Sequence, residues 1–120
     1  MLAFKLIELD RHAGCREIQI EGELDLAVAG QLQEALDRAG EEYAQVLISL
    51  ENCEFIDSTG IALIVRAWQR VDAGAGNGGK GGLVLCCQND QVRRVLEVTG
   101  LEHSLRVFET RDAGLAALRG

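Results

Sequence analysis

The stretch Gln45-Val46-Leu47-Ile48-Ser49-Leu50-Glu51-Asn52-Cys53-Glu54-Phe55-Ile56-Asp57-Ser58-Thr59-Gly60-Ile61 decides the fold class. Residues 45–50 are short, apolar and rich in β-formers. They read as a buried strand of the kind found inside parallel sheets. Asp57, Ser58 and Thr59 all suit a helix N-cap. Beyond them Ile61, Ile64, Val65, Trp68 and Val71 share one helical face, so Trp68 is expected to lie largely buried against the sheet. A buried strand followed by an amphipathic helix is the unit from which α/β folds are built.

Upstream, residues 4–9 read as an edge strand, and Asp10 to Gly14 as a turn by its Asp and Gly. Cys15 to Ile20 alternates polar and apolar side chains, as a half-buried strand does. These two strands are expected to pair as a hairpin. Gly22-Glu23-Leu24-Asp25 is expected to turn the chain. Val28, Leu32, Ala35, Leu36 and Ala39 then trace a helical face, with Gly40 as its stop.

Downstream, the stretch from Gly74 to Gly82 holds six glycines in nine residues and reads as a flexible loop. Leu83 to Cys87 is a second buried strand. Asn89 or Asp90 caps a helix through Thr99 that turns Val92, Val95 and Leu96 inward and stops at Gly100. Arg106 to Glu109 is a short strand, and Thr110 caps a last helix carrying Leu115 and Leu118. The order β-β-α-β-α-β-α-β-α implies one α/β domain spanning residues 1–120, with a mixed, mostly parallel sheet of four to five strands and about four helices.

Composition bounds the function. The length of 120 residues suits one domain at about 150 residues each, large enough for a core without staples. Net charge is −7, which sets direct nucleic-acid binding aside. Residues 1–60 carry 4 basic against 13 acidic side chains, while residues 61–120 carry 8 against 6. The first half is therefore expected to present an acidic face. No apolar run approaches the roughly 18 residues of a membrane span, and the N-terminus lacks the features of a signal peptide. The expectation is a cytoplasmic protein with no membrane contact. Cys15, Cys53, Cys86 and Cys87 form no C-x-x-C pair and read as small buried hydrophobes.

Several motifs carry no chemistry. Gly74 to Gly79 satisfies G-x-G-x-x-G, and Gly74 to Lys80 satisfies G-x-x-x-x-G-K. A phosphate loop leaves a strand and opens a helix, whereas this segment leaves a helix and enters a strand. Gly81 also stands where the metal-holding hydroxyl is needed. His12 and His103 are the only imidazoles and fall at solvated positions. Most carboxylates lie on predicted solvent faces, and no pair has acid–base spacing. No cofactor, metal or catalytic site is expected.

Asp57-Ser58-Thr59-Gly60 remains, at the carboxyl side of a buried strand, where open α/β sheets place their sites. A plain helix cap is one reading. The other is a switch. A phosphate on an exposed hydroxyl adds about −1.5 to −2 charge. The helix dipole tolerates that charge. Asp57 and a partner surface built for a neutral serine do not.

These residues give the chain its resemblance to the STAS domain family, in particular to bacterial anti-sigma factor antagonists. The resemblance rests on Gly22-Glu23-Leu24-Asp25, on Phe55-Ile56-Asp57-Ser58-Thr59-Gly60-Ile61 and on Thr99-Gly100-Leu101, and it covers nearly the whole chain. It implies a protein that binds an anti-sigma factor with serine kinase activity and so frees a sigma factor. The kinase then phosphorylates the antagonist, and a metal-dependent serine phosphatase resets it. Carried over by position, Ser58 is the phosphoacceptor and Thr59 a minor candidate. Asp25, Asp57, Ser58, Thr59 and Gly60 form the partner-binding set, with Gly60 permitting close docking. Val28-Ala29 departs from the Thr-Ala of many relatives, Ala62 replaces a frequent glycine, and the glycine loop is longer. Two other readings stay open. One is a non-switched STAS scaffold or regulatory subunit of a signalling or lipid-transport complex. The other is a small enzyme or phosphocarrier, disfavoured for want of a base, metal or cofactor motif.

Overall fold

A computed structural model describes residues 3–11, 14–75, 82–100 and 105–119. Strands β1 (Lys5–Asp10) and β2 (Cys15–Leu24) form the expected antiparallel hairpin, with Leu6 opposite Ile20. Strands β3 (Gln45–Ile56), β4 (Gly82–Cys86) and β5 (Arg106–Phe108) then add in parallel, giving the order β1-β2-β3-β4-β5. Helices α1 (Ala29–Glu42), α2 (Ser58–Ala75), α3 (Asp90–Val98) and α4 (Arg111–Arg119) connect or follow the strands. A 3₁₀ turn, Leu26–Val28, precedes α1.

Strand alternation divides the core between the two sheet faces. Ile18, Ile20, Val46, Ile48, Leu83 and Leu85 meet Leu32 and Leu36 of α1, Ile64 of α2, and Val92 and Leu96 of α3 in one buried cluster. Cys15, Leu47, Val84 and Cys86 point the other way and meet Leu118 of α4, with Leu115 and Phe108 packed alongside. All four cysteines are free and buried, as their reading as small hydrophobes requires. Burial pushes the thiols of Cys53 and Cys86 up to about 11, the opposite of what a reactive cysteine needs.

The structure corrects several boundaries. Gly22-Glu23-Leu24 is not a turn but the end of β2, which runs ten residues. Register shifts against β3 fall between Gln19 and Glu21 and between Gly22 and Glu23. Gly22 has φ +84° there, a value that a side chain makes costly. β3 likewise extends past Leu50 to Ile56. Its buried positions drift from Leu50 to Cys53 to Ile56, which breaks the period-2 signal. α1 does not stop at Gly40 but continues to Glu42. Gly40 is a contact glycine instead: a β-carbon there would touch Arg70 Cδ at 3.4 Å, and Arg70 Nη1 donates to Asp37 Oδ1 at 2.6 Å.

The buried face of α2 is Leu63, Ile64, Ala67 and Val71. Trp68 is only half-buried at the edge of the core, because the stripe that meets the sheet lies one position before it. Asn89 caps α3 by accepting from Gln91 N at 2.8 Å and Val92 N at 3.1 Å. Thr110 Oγ1 accepts from Ala113 N at 3.1 Å at the start of α4. α2 takes up Gly74 and Ala75 from the predicted glycine loop, and β4 takes up Gly82. The rest of that loop, His12, His103 and Leu101 lie outside the described residues.

Candidate functional site

The end of β3 and the start of α2 are separated by one residue. Ile56 closes the strand, Asp57 intervenes and Ser58 opens the helix. Asp57 N donates to Leu24 O at 3.1 Å, so the junction is tied to the end of β2. The Asp57 carboxylate turns back and accepts from Gly60 N at 3.0 Å. Asp57 O accepts from Ile61 N at 3.1 Å, the first bond of the helix. The carboxylate is thus an N-cap, satisfying one of the donors that a helix start leaves unpaired.

Asp25 holds the corresponding place on the neighbouring strand. Leu24 and Ile56 are register partners, so Asp25 and Asp57 follow paired residues of parallel strands. Asp25 Oδ1 accepts from Ala27 N at 3.0 Å and caps the 3₁₀ turn. Val28, at the start of α1, makes no side-chain cap bond. Both aspartates predicted for a contact surface therefore lie side by side at the carboxyl edge of the sheet, and both have structural bonds as well.

Ser58 is exposed and Thr59 half-buried. Ser58 stands in the first turn of an 18-residue helix, where the helix dipole favours an added negative group. Gly60, by contrast, is buried. A β-carbon there would lie 2.8 Å from Leu24 Cγ and 3.0 Å from Ile56 Cγ1. The close approach it permits is that of α2 to its own sheet, and the serine is positioned by this contact.

Sequence reasoning missed two apolar members of this edge. Phe55 is 48% exposed and Leu26 73% exposed. Each is one or two residues from a capping aspartate. Phe55 belonged to the motif, but only the register shifts in β2–β3 explain why an aromatic on a central strand faces outward. The expected acidic face is also partly cancelled. Glu8 meets Arg16 at 2.9 Å and Arg38 at 2.8 Å, Asp10 meets Arg16 at 2.9 Å, and Asp37 meets Arg70 at 2.6 Å.

One carboxylate is an exception to the reading that most acids lie on solvent faces. Glu17 is fully buried. It accepts from Arg11 Nε at 2.6 Å, Gln19 Nε2 at 2.6 Å and Arg111 Nη1 at 3.2 Å. Burial raises its pKa, and these donors together with the charges of Arg11 and Arg111 outweigh that effect, leaving the group below the ordinary value. This cluster lies on the α4 side of the sheet, and its only sequence signal was Glu17's place in the polar phase of β2. No group of three or more His, Cys, Asp or Glu among the described residues could hold a metal. No described helix is long and apolar enough to cross a membrane.

The sheet order, the helix positions and the Asp57–Gly60 junction define a STAS-type α/β domain, and comparison with known proteins agrees. The STAS domain pattern matches residues 7–114, so the chain belongs to the STAS domain family. The anti-sigma F factor antagonist of Paenibacillus polymyxa is 28% identical over 116 residues, covering 93% of each chain. Among solved structures, an anti-sigma factor antagonist from Mycobacterium paratuberculosis superimposes with a TM-score of 0.84 at 23% identity, covering 98% of this chain and 96% of that one. The phosphorylated form of the Bacillus cell fate determinant SpoIIAA gives 0.70 at 23% identity, covering 98% and 100%. These two structures share the fold.

Proposed function

We propose that this protein is an anti-sigma factor antagonist whose binding is switched by phosphorylation of Ser58. The observation that carries the reading is the exposed Ser58 hydroxyl at the start of α2, held by the Asp57 cap beneath it and by the Gly60 packing behind it. A rigid helix start presents one small hydroxyl on a surface flanked by Asp25, Asp57, Thr59, Leu26 and Phe55. An anti-sigma factor with serine kinase activity docks on that surface and releases its sigma factor. Phe55 and Leu26 supply apolar area, and the two aspartates meet basic groups of the partner.

The same kinase transfers the γ-phosphoryl group of its ATP to Ser58 Oγ. The serine proton leaves to the kinase's base, and ADP is the leaving group. The phosphoserine is stable within the chain because the helix dipole favours its charge. It is unfavourable at the interface, where Asp25 and Asp57 stand beside it and a surface shaped for a hydroxyl must take a dianion. The complex separates, and a serine phosphatase restores the hydroxyl. The phosphorylated structure of SpoIIAA and the names of the curated relatives support this reading. Nothing in the cycle needs catalysis by this chain.

The test uses wild type, Ser58→Ala and Ser58→Asp as baits in lysate of the source cells. A kinase-fold anti-sigma factor held by the first two and lost by the third supports the switch. One non-kinase partner held equally by all three overturns it in favour of a non-switched scaffold or transport subunit.

A further inference from the structure

The two edges of the sheet end differently. β5 is three residues long, and so short an edge offers little to pair with. β1 is six residues long, and no strand lies beyond it in the sheet order. Its register with β2 runs from Lys5–Glu21 to Asp10–Arg16 without a shift. Arg11 N donates to Cys15 O at 3.1 Å, one step further along that register. Bonded pairs alternate along an antiparallel ladder, so Lys5, Ile7 and Leu9 bond to β2. The N–H and C=O groups of Leu6, Glu8 and Asp10 therefore point away from it.

Natural sheets guard such an edge with proline, bulges, a free charge in mid-strand or a covering element. Among the described residues none of these guards β1. The chain holds no proline. The one charge in mid-strand, Glu8, is drawn off to Arg16 at 2.9 Å and Arg38 at 2.8 Å. Lys5, Arg16 and Arg38 offset Glu8, Asp10 and Glu21, the register partner of Lys5, so the strand and its partners are neutral in a chain of net charge −7. The apolar side chains of the open face are not used up inside. Ile7 and Leu9 are half-buried and belong to neither core cluster, because α4 packs over β3, β4 and β5.

We propose that β1 pairs with β1 of a second copy of this chain, antiparallel about a twofold axis through Ile7. In this register Leu6 and Glu8 exchange backbone bonds with Glu8 and Leu6 of the other copy. Ile7 meets its own counterpart, and Leu9 lies beside the aliphatic stem of Lys5. A slip one way sets Glu8 directly opposite Glu8, which like charges disfavour. A slip the other way carries Leu9 and Asp10 past the end of the opposing strand. The contact is isologous and closes at two copies. β3 lies two strands in from the joined edges, so both Ser58 surfaces stay open. The pairing stands whether or not that serine is phosphorylated.

The test is sedimentation equilibrium of the whole protein from about 10 μM to 1 mM, with amide hydrogen exchange at both ends of the range. A reversible monomer–dimer equilibrium is expected, with exchange at Leu6 and Glu8 slowed at high concentration. Glu8→Pro removes one outward amide and spares every bond to β2, so it should weaken dimerisation at least about tenfold. Glu8→Ala, which loses the same ion pairs but keeps the amide, should weaken it far less. Ile7→Lys, which sets like charges on the axis, should weaken it as much as the proline does, with the melting temperature of the dilute protein little moved. A monomer at every concentration, a dimer that neither Glu8→Pro nor Ile7→Lys weakens, or a dimer whose Leu6 and Glu8 amides exchange as fast as the monomer's overturns the proposal.

Discussion

Gly60 of α2 lies against Leu24 of β2 with no room for a side chain between them: a β-carbon on the glycine would come within 2.8 Å of Leu24 Cγ and 2.9 Å of Leu24 Cδ2. Leu24 is fully buried and cannot swing away. Gly60→Ala is therefore expected to cost about 1–3 kcal/mol, as overpacking does. Leu24→Ala opens the space, so the added cost of Gly60→Ala should shrink in that background. Urea denaturation of the four proteins of this cycle measures the coupling. Additive costs would show that the contact does not seat the helix.

Asp57 is the cap of the same helix, so its removal should be felt without any partner. Asp57→Ala is expected to lose about 1 kcal/mol, and Asp57→Asn, which still accepts from Gly60 N, much less. Thermal melts of the isolated protein check the order. Equal losses would mean that charge, not the hydrogen bond, sustains the helix start.

The motif around Ser58 was legible in sequence because capping residues, an apolar helix face and a preceding β-rich run are local signals. The lengths of β2 and β3 were not. Gly22-Glu23-Leu24 resembles a turn until β3 is placed beside it, and residues 51–56 lose their alternation where the register shifts. Gly40 looked like a helix stop, and only the neighbouring Arg70 shows it to be a contact point. Trp68 falls in phase with the apolar face of α2 read from sequence, yet Ala67 is the deeper residue. Glu17 was hidden for the same reason: its partners Arg11 and Arg111 stand 6 and 94 residues away.

Glu17 makes acid stability testable. Its pKa is lowered in the folded state, so its stabilising contribution is present above the unfolded value, about 4.3. That contribution is lost as the pH falls from there through the folded value. Glu17→Gln should be less stable at pH 7 by roughly 1–3 kcal/mol, the cost of leaving buried donors poorly paired. It should also lose stability less steeply than wild type below about pH 4.5. Denaturant midpoints between pH 3 and pH 7 decide the matter, and parallel curves for the two proteins would contradict the assignment.

The thiols should be silent in the folded protein. With pKa values pushed up to about 11 for Cys53 and Cys86, only about one molecule in a thousand carries either thiolate at pH 8. Burial also bars the reagent. A disulfide-exchange reagent should label all four cysteines only in denaturant. Rapid labelling of Cys86 or Cys87 in native buffer would contradict the core placement.

The central claim rests on one oxygen, Ser58 Oγ. The most direct measurement incubates the complex of this protein with its captured kinase partner in ATP and magnesium, then maps the phosphate by mass spectrometry while following dissociation by size. The account predicts one phosphate, on Ser58, with loss of the complex, and a Ser58→Ala complex that stays intact and unlabelled. Labelling centred on Thr59 or elsewhere, or a complex that survives stoichiometric phosphorylation of Ser58, would contradict it.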